Sequence, residues 1–194
     1  MPDALVRPGP YTWEDFIALD EDDLRELIDG ELVEVEVPSK AHERVAAIIV
    51  YYLEAWARAG NGAMTLGSGY KIRISPQRGV MPDVQFYRGG NVPRGQEQGL
   101  VEGRPDLVVE VTSPSSVRHD RVTKTRWYAS IGVPEYWRID PSARTLERLV
   151  LEKDRYAIAE ALDGEGVLRP DAFAGLALPL GELWKATEEL GGSA

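Results

Sequence analysis

The sequence predicts an α/β protein: a mixed β-sheet flanked by helices, with a hairpin near each end. Three stretches carry that expectation. Leu107-Val108-Val109-Glu110-Val111 is almost continuously apolar, as suits a central strand covered on both faces. Val45, Ile48, Ile49, Tyr52, Leu53 and Trp56 recur at the spacing of one helical face. Asp29-Gly30, between Leu27-Ile28 and Leu32-Val33, has the chemistry of a tight hairpin turn with positive φ.

The remaining elements follow in order. Thr12 and Asp15 form a capping-box pair that opens a short helix through Trp13, Phe16, Ile17 and Leu19. The second arm of the hairpin alternates Val33, Val35 and Val37 with Glu34 and Glu36 until Pro38 closes it. Gly60-Asn61-Gly62 ends the long helix. Residues 64–74 read as one strand, and Ser75-Pro76-Gln77-Arg78-Gly79 turns the chain into a second run, Val80-Met81-Pro82-Asp83-Val84-Gln85-Phe86. Residues 88–103, with five glycines, read as an exposed loop. After Leu107–Val111, Thr112-Ser113-Pro114-Ser115-Ser116 can cap a helix over about 116–131, which Gly132 and Pro134 stop. Glu135–Ile139 is a short strand. Leu146–Leu151 and Arg155–Ala159 make a hairpin across Lys153-Asp154, and a last helix lies near Leu180–Leu190.

A chain of 194 residues fits one domain, residues 1–194, and can bury a real core. At 43% apolar and 28% charged it has the make-up of an ordinary globular protein. No apolar run is long enough to cross a bilayer, and no secretory leader is apparent, so the expected setting is cytoplasmic, without a membrane. Zero cysteines exclude disulfides and thiolate metal sites, and two histidines, His42 and His119, argue against a multi-histidine zinc site. The net charge is −10, yet it is unevenly spread. Residues 1–36 hold twelve acids against two bases, whereas residues 71–126 hold ten bases against six acids. A basic centre in an acidic chain suits a polyanion bound at one place, or a small anionic ligand.

The chemistry is suggested by residue type and order. Two strand-like runs each deliver a carboxylate, Asp83 and Glu110, and a following helix carries Lys124. Phosphodiester hydrolysis with a metal needs fixed carboxylate oxygens for Mg²⁺ and a cation near the attacking water. Two buried strands that merely end in solvated acids would give the same pattern. Lys124 shares a helical stripe with Trp127, Tyr128 and Ile131, so its ammonium either snorkels to water or is received by the acids.

Several stretches together resemble the Uma-two endonuclease family of the PD-(D/E)XK restriction-endonuclease-like superfamily. They are Met81-Pro82-Asp83-Val84, Pro105 to Pro114 around Glu110, Gly132 to Pro141, Glu26 to Val33, and Pro38-Ser39-Lys40-Ala41-His42. The resemblance implies a restriction-endonuclease-like α/β fold. It makes Asp83 the superfamily's metal-binding aspartate and Glu110 the acid of its signature. That signature places lysine two residues after the acid; Thr112 stands there, and Lys124 matches a migrated position on the next helix. His42 falls where the superfamily often has a glutamate.

On that reading Asp83, Glu110 and the backbone carbonyl of Val111 hold Mg²⁺, for which Mn²⁺ can substitute, and Lys124 orients the water. Gln85, on the strand face of Asp83, could touch the site or be an ordinary strand residue. His42 could be a base behind the metal ligands or a weak ligand itself, or else a capping or surface residue at its helix start, and Glu31 could face the site or solvent. The expected activity is hydrolysis of nucleic acid, DNA first, by a homodimer, since cutting both strands is simplest with two sites. Two rivals stand beside it: an inactive binding or regulatory module of the same fold, and a metal-dependent hydrolase of small phosphate esters.

Overall fold

Each of the runs expected as single strands at 64–74 and 80–86 is cut in two, and the cuts build the architecture. The computed structural model describes residues 9–20, 23–93, 98–112 and 119–191. The first half holds α1 (Trp13–Ile17), β1 (Arg25–Ile28), β2 (Glu31–Glu34), α2 (Lys40–Trp56), β3 (Ala63–Gly67), β4 (Lys71–Ser75), β5 (Arg78–Val80) and β6 (Val84–Arg88). The second half holds β7 (Gly99–Leu100), β8 (Leu107–Val111), α3 (Thr125–Ser130), β9 (Glu135–Asp140), β10 (Thr145–Glu152), β11 (Arg155–Asp163), β12 (Val167–Leu168), β13 (Leu178–Pro179) and α4 (Leu180–Gly191).

Two mixed sheets result. One has six strands in the order β11-β10-β9-β8-β6-β3, and the other five in the order β2-β1-β5-β4-β7. Gly69, at φ +99°, turns the chain out of the first sheet between β3 and β4. Pro82, which has no N–H to give a ladder, marks the return between β5 and β6. Asp83 therefore stands at the seam where the chain passes from one sheet to the other. The expected loop at 88–103 also gains a short strand, β7, which pairs parallel to β4.

Local signals hold where no tertiary choice is involved. Thr12 and Asp15 close the capping box, with the Thr12 amide donating to Asp15 at 2.8 Å. Asp29 and Gly30 turn the first hairpin at φ 50° and 84°, and Lys153 at φ 61° turns the last. The expected helix over 116–131 begins outside the described residues; within them it is a wide turn at His119–Lys124 followed by α3.

β8 runs parallel to β9 and antiparallel to β6 at the centre of the six-stranded sheet. Its side chains alternate between two packed faces. Leu107, Val109 and Val111 meet Val45, Ile49 and Leu53 of α2 and Leu183 and Trp184 of α4. Val108 faces the other way, into Trp127 and Tyr128 of α3, Tyr136 of β9, and Ile72 and Val80 of the second sheet. Trp13, Phe16 and Leu19 cover Leu27 on the far side of that second sheet. The layers therefore run α2 with α4, six-stranded sheet, α3 with five-stranded sheet, then α1. Among the described residues no helix is long and apolar enough to cross a membrane.

Candidate active site

Glu110 follows Val108 by two residues and so turns its carboxylate into the layer that holds α3. It is 3% exposed. Stripping a carboxylate of water costs several kcal/mol, more than one aliphatic side chain recovers, so Glu110 must be compensated locally. Lys124 and Tyr128 do this from one side of a helical stripe. The Lys124 ammonium lies 3.2 Å from Glu110 Oε1, and the Tyr128 hydroxyl donates to the same oxygen at 2.5 Å. Burial and the Glu110 charge push the Tyr128 phenol well above its ordinary value, which keeps its proton available for that bond.

A third charged group completes the buried cluster. Glu26, on β1 of the other sheet, places Oε1 3.1 Å from the Lys124 ammonium and also accepts the Met81 N–H at 3.1 Å. One lysine thus bridges two carboxylates, each less than 5% exposed. The trio carries a formal charge of −1, which favours an additional cation close by.

Asp83 makes a separate set of contacts. Its Oδ2 accepts the Val111 N–H at 2.7 Å and lies 3.1 Å from His42 Nε2. Ser39 caps α2 through the His42 amide at 3.2 Å, which fixes the imidazole on the first turn of that helix. Asp83 Oδ1 has no hydrogen bond from the described residues. The side chain is partly exposed beside a cavity of about 140 Å³ lined by His42, Glu43, Gly67, Ser68 and Asp83.

The two sets meet at the Glu110–Val111 peptide: Glu110 contributes its side chain to one and Val111 its amide to the other. Among the described residues no three His, Asp or Glu side chains gather closely enough to enclose a metal on their own. Mg²⁺ in general keeps several waters and takes one or two carboxylates with substrate phosphate. Asp83, Glu110 and the Val111 carbonyl are hard oxygen donors, and Asp83 Oδ1, with no hydrogen bond from the described residues, is the clearest of them.

The other residues singled out by sequence lie as follows. Gln85 is fully buried, donating to the Tyr70 carbonyl at 2.5 Å and accepting from the Tyr87 hydroxyl at 2.7 Å. Its amide is thereby committed to the packing of β6. Replacing it by leucine strands the Tyr87 hydroxyl, and Gln85→Leu is expected to cost about 1–3 kcal/mol in chemical denaturation while leaving turnover of the folded fraction intact. Glu31 is exposed on β2 opposite Ile28 and touches none of the site groups. Thr112 donates its hydroxyl to the Ile139 carbonyl at 2.9 Å, so the signature lysine position serves the sheet instead. Sequence reasoning missed Glu26 as a partner of Lys124. The available signal was its place on the face of β1 opposite Leu27, which reads as inward only if both faces of that sheet are covered.

Comparison with known proteins gives a family and a fold. A family model, Uma2, described as "putative restriction endonuclease", matches residues 13–181. The crystal structure of a "putative nuclease belonging to DUF820" from Anabaena variabilis superposes with a TM-score of 0.76 at 18% identity, over 92% of this chain and 99% of that one. The restriction-endonuclease-like α/β fold expected from sequence is therefore shown. No curated protein matches the chain.

Proposed function

Because this chain belongs to the Uma2 family, we propose that it is a nuclease hydrolysing phosphodiester bonds in DNA with the help of Mg²⁺, or Mn²⁺ in its place. The observation that carries the proposal is the buried Glu26–Lys124–Glu110 cluster ending one peptide away from Asp83. Solvated strand ends would not place a lysine between two carboxylates at the centre of a fold.

Asp83, Glu110 and the Val111 carbonyl would hold the ion. When bound, Mg²⁺ polarises a phosphoryl oxygen and eases deprotonation of water. Lys124 is held in place by Glu26 and Glu110, so its ammonium is preorganised to orient the water and oppose negative charge on the phosphorus oxygens. Glu26 and Tyr128 act through their neighbours and are positioning residues. His42 and the Val111 N–H hold Oδ2 of Asp83, and Oδ1 takes no hydrogen bond from the described residues. Cutting both strands by a pair of copies belongs to the same reading.

The test is cleavage of supercoiled and linear DNA with Mg²⁺, Mn²⁺ or EDTA, run beside Asp83→Ala. Cleavage that needs the divalent ion and vanishes in the variant supports the reading. Metal binding without cleavage points to a binding module, and turnover of small esters alone points to a phosphoesterase.

A further inference from the structure

A cleft of about 490 Å³ lies apart from the cluster just described, between the end of β4, the 101–104 segment and the end of α3. Arg73 and Arg104 both line it, with Ser75, Gly103, Ile74 and Ile131. Both arginines are half-buried. Among the described residues neither guanidinium makes an ion pair or a hydrogen bond with the protein.

Among the other arginines that are not exposed, Arg25 pairs with Asp23, Arg78 with Asp29, Arg138 with Glu147, and the buried Arg148 with Glu135 and Glu160, while Arg88 donates to the Ala172 carbonyl. In a chain with 32 acids and a net charge of −10, two cations facing one cleft with no carboxylate among its lining residues are not an average outcome. Arg104 lies against Gly132, where an added Cβ would come within 3.4 Å of its Nε, so it also sits near the carbonyl end of α3. That accounts for part of the Arg104 charge and for none of Arg73. Ser75 Oγ already accepts the Gln77 N–H, which leaves its own proton to be given to an anion.

We infer that this cleft binds the phosphate backbone of a polynucleotide strand at a distance from the bond being cut. The inference rests on the nuclease reading above and adds a second point of attachment to it. Lys124 and Ile131 are seven residues apart on one helical stretch, about 10 Å of rise. That is about three nucleotide steps of duplex at 3.4 Å each. The planar guanidinium forks match phosphate oxygens, and the two apolar walls leave the bases unread.

The experiment is fluorescence anisotropy of a labelled DNA duplex at several salt concentrations in EDTA, where binding is measured without divalent-dependent cleavage. Wild type is compared with Arg73→Gln/Arg104→Gln, with Arg73→Lys/Arg104→Lys, and with Arg169→Gln as an exposed control elsewhere; thermal melts check that each variant is folded. The glutamine pair is expected to lose about tenfold or more in affinity and to flatten the salt slope by about two contacts. The lysine pair keeps most of the slope, and Arg169→Gln matches wild type. If the folded glutamine pair retains both affinity and slope while wild type binds and cuts DNA, the cleft assignment is overturned and the nuclease reading survives. If inorganic phosphate raises the melting temperature of wild type but not of the glutamine pair, while DNA binding is the same in both, the cleft takes a small anion and the strand assignment is overturned. If wild type binds no DNA in this assay, the assignment is overturned too, whereas the nuclease reading is judged separately by the divalent-dependent cleavage assay.

Discussion

Lys124→Met is expected to lose DNA cleavage by about 10²–10³-fold or more and to lose much of its stability as well. The side chain is buried and bridges the buried carboxylates of Glu26 and Glu110. Removing the ammonium leaves Glu26 and Glu110 facing each other without a counter-charge. Breaking a buried pair from one side costs about 3–5 kcal/mol, which lowers the melting temperature by roughly 10 °C in a domain of this size. A loss of activity alone would therefore be ambiguous. The double variant Glu26→Gln/Lys124→Met separates the two effects: it removes one anion with the cation, and Tyr128 still supports Glu110. Its melting temperature should recover part of the loss, while cleavage stays absent. If the double variant melts no higher than Lys124→Met, the three groups do not form one buried cluster. If either protein cuts at the wild-type rate, Lys124 has no part in the chemistry.

Asp83→Asn tests the other half of the site with little structural cost. The asparagine carbonyl can still accept the Val111 N–H that Asp83 Oδ2 accepts at 2.7 Å. Only the charge is lost, together with the charged partner of His42. A change of about 1 kcal/mol is expected in stability, or a fall of about 2–4 °C in the melting temperature. Divalent-dependent cleavage should fall by about 10³-fold, equal to about 4 kcal/mol of transition-state stabilisation. Isothermal titration with Mn²⁺ should weaken in parallel. Unchanged Mn²⁺ affinity in the folded variant would remove Asp83 from the proposed donors, whatever happened to the rate.

What the chain reveals in one dimension is governed by the range of the interactions concerned. The α2 stripe, the Thr12 cap, the Asp29-Gly30 turn and the apolar run of β8 are short-range facts, and each appears where its residues suggest. Lys124 was legible for a similar reason: its spacing to Trp127 and Tyr128 places it on an inward stripe, and Glu110 receives it. The break at Pro82 was not legible as a change of sheet, because a proline in an extended run is equally consistent with an edge strand or a bulge. Glu26 failed for a related reason. Its burial depends on a second sheet packing over α3, which no pattern within Arg25–Ile28 encodes. Glu31, one turn away, offered the same acid beside a hairpin and lies in solvent.

The seam at Pro82 means that no segment of this polypeptide owns the candidate chemistry. Glu26 and Lys124 are separated by 98 positions and are anchored in different elements, β1 and the turn that leads into α3. Contacts of such long sequence separation form late and together, since their loop-closure entropy is offset only when the elements that carry them dock. A ribosome-borne or proteolysed fragment that has made only its helices and hairpins would hold these acids apart and be harmless to nucleic acid. On the nuclease reading proposed above, activity would await completion of the fold itself.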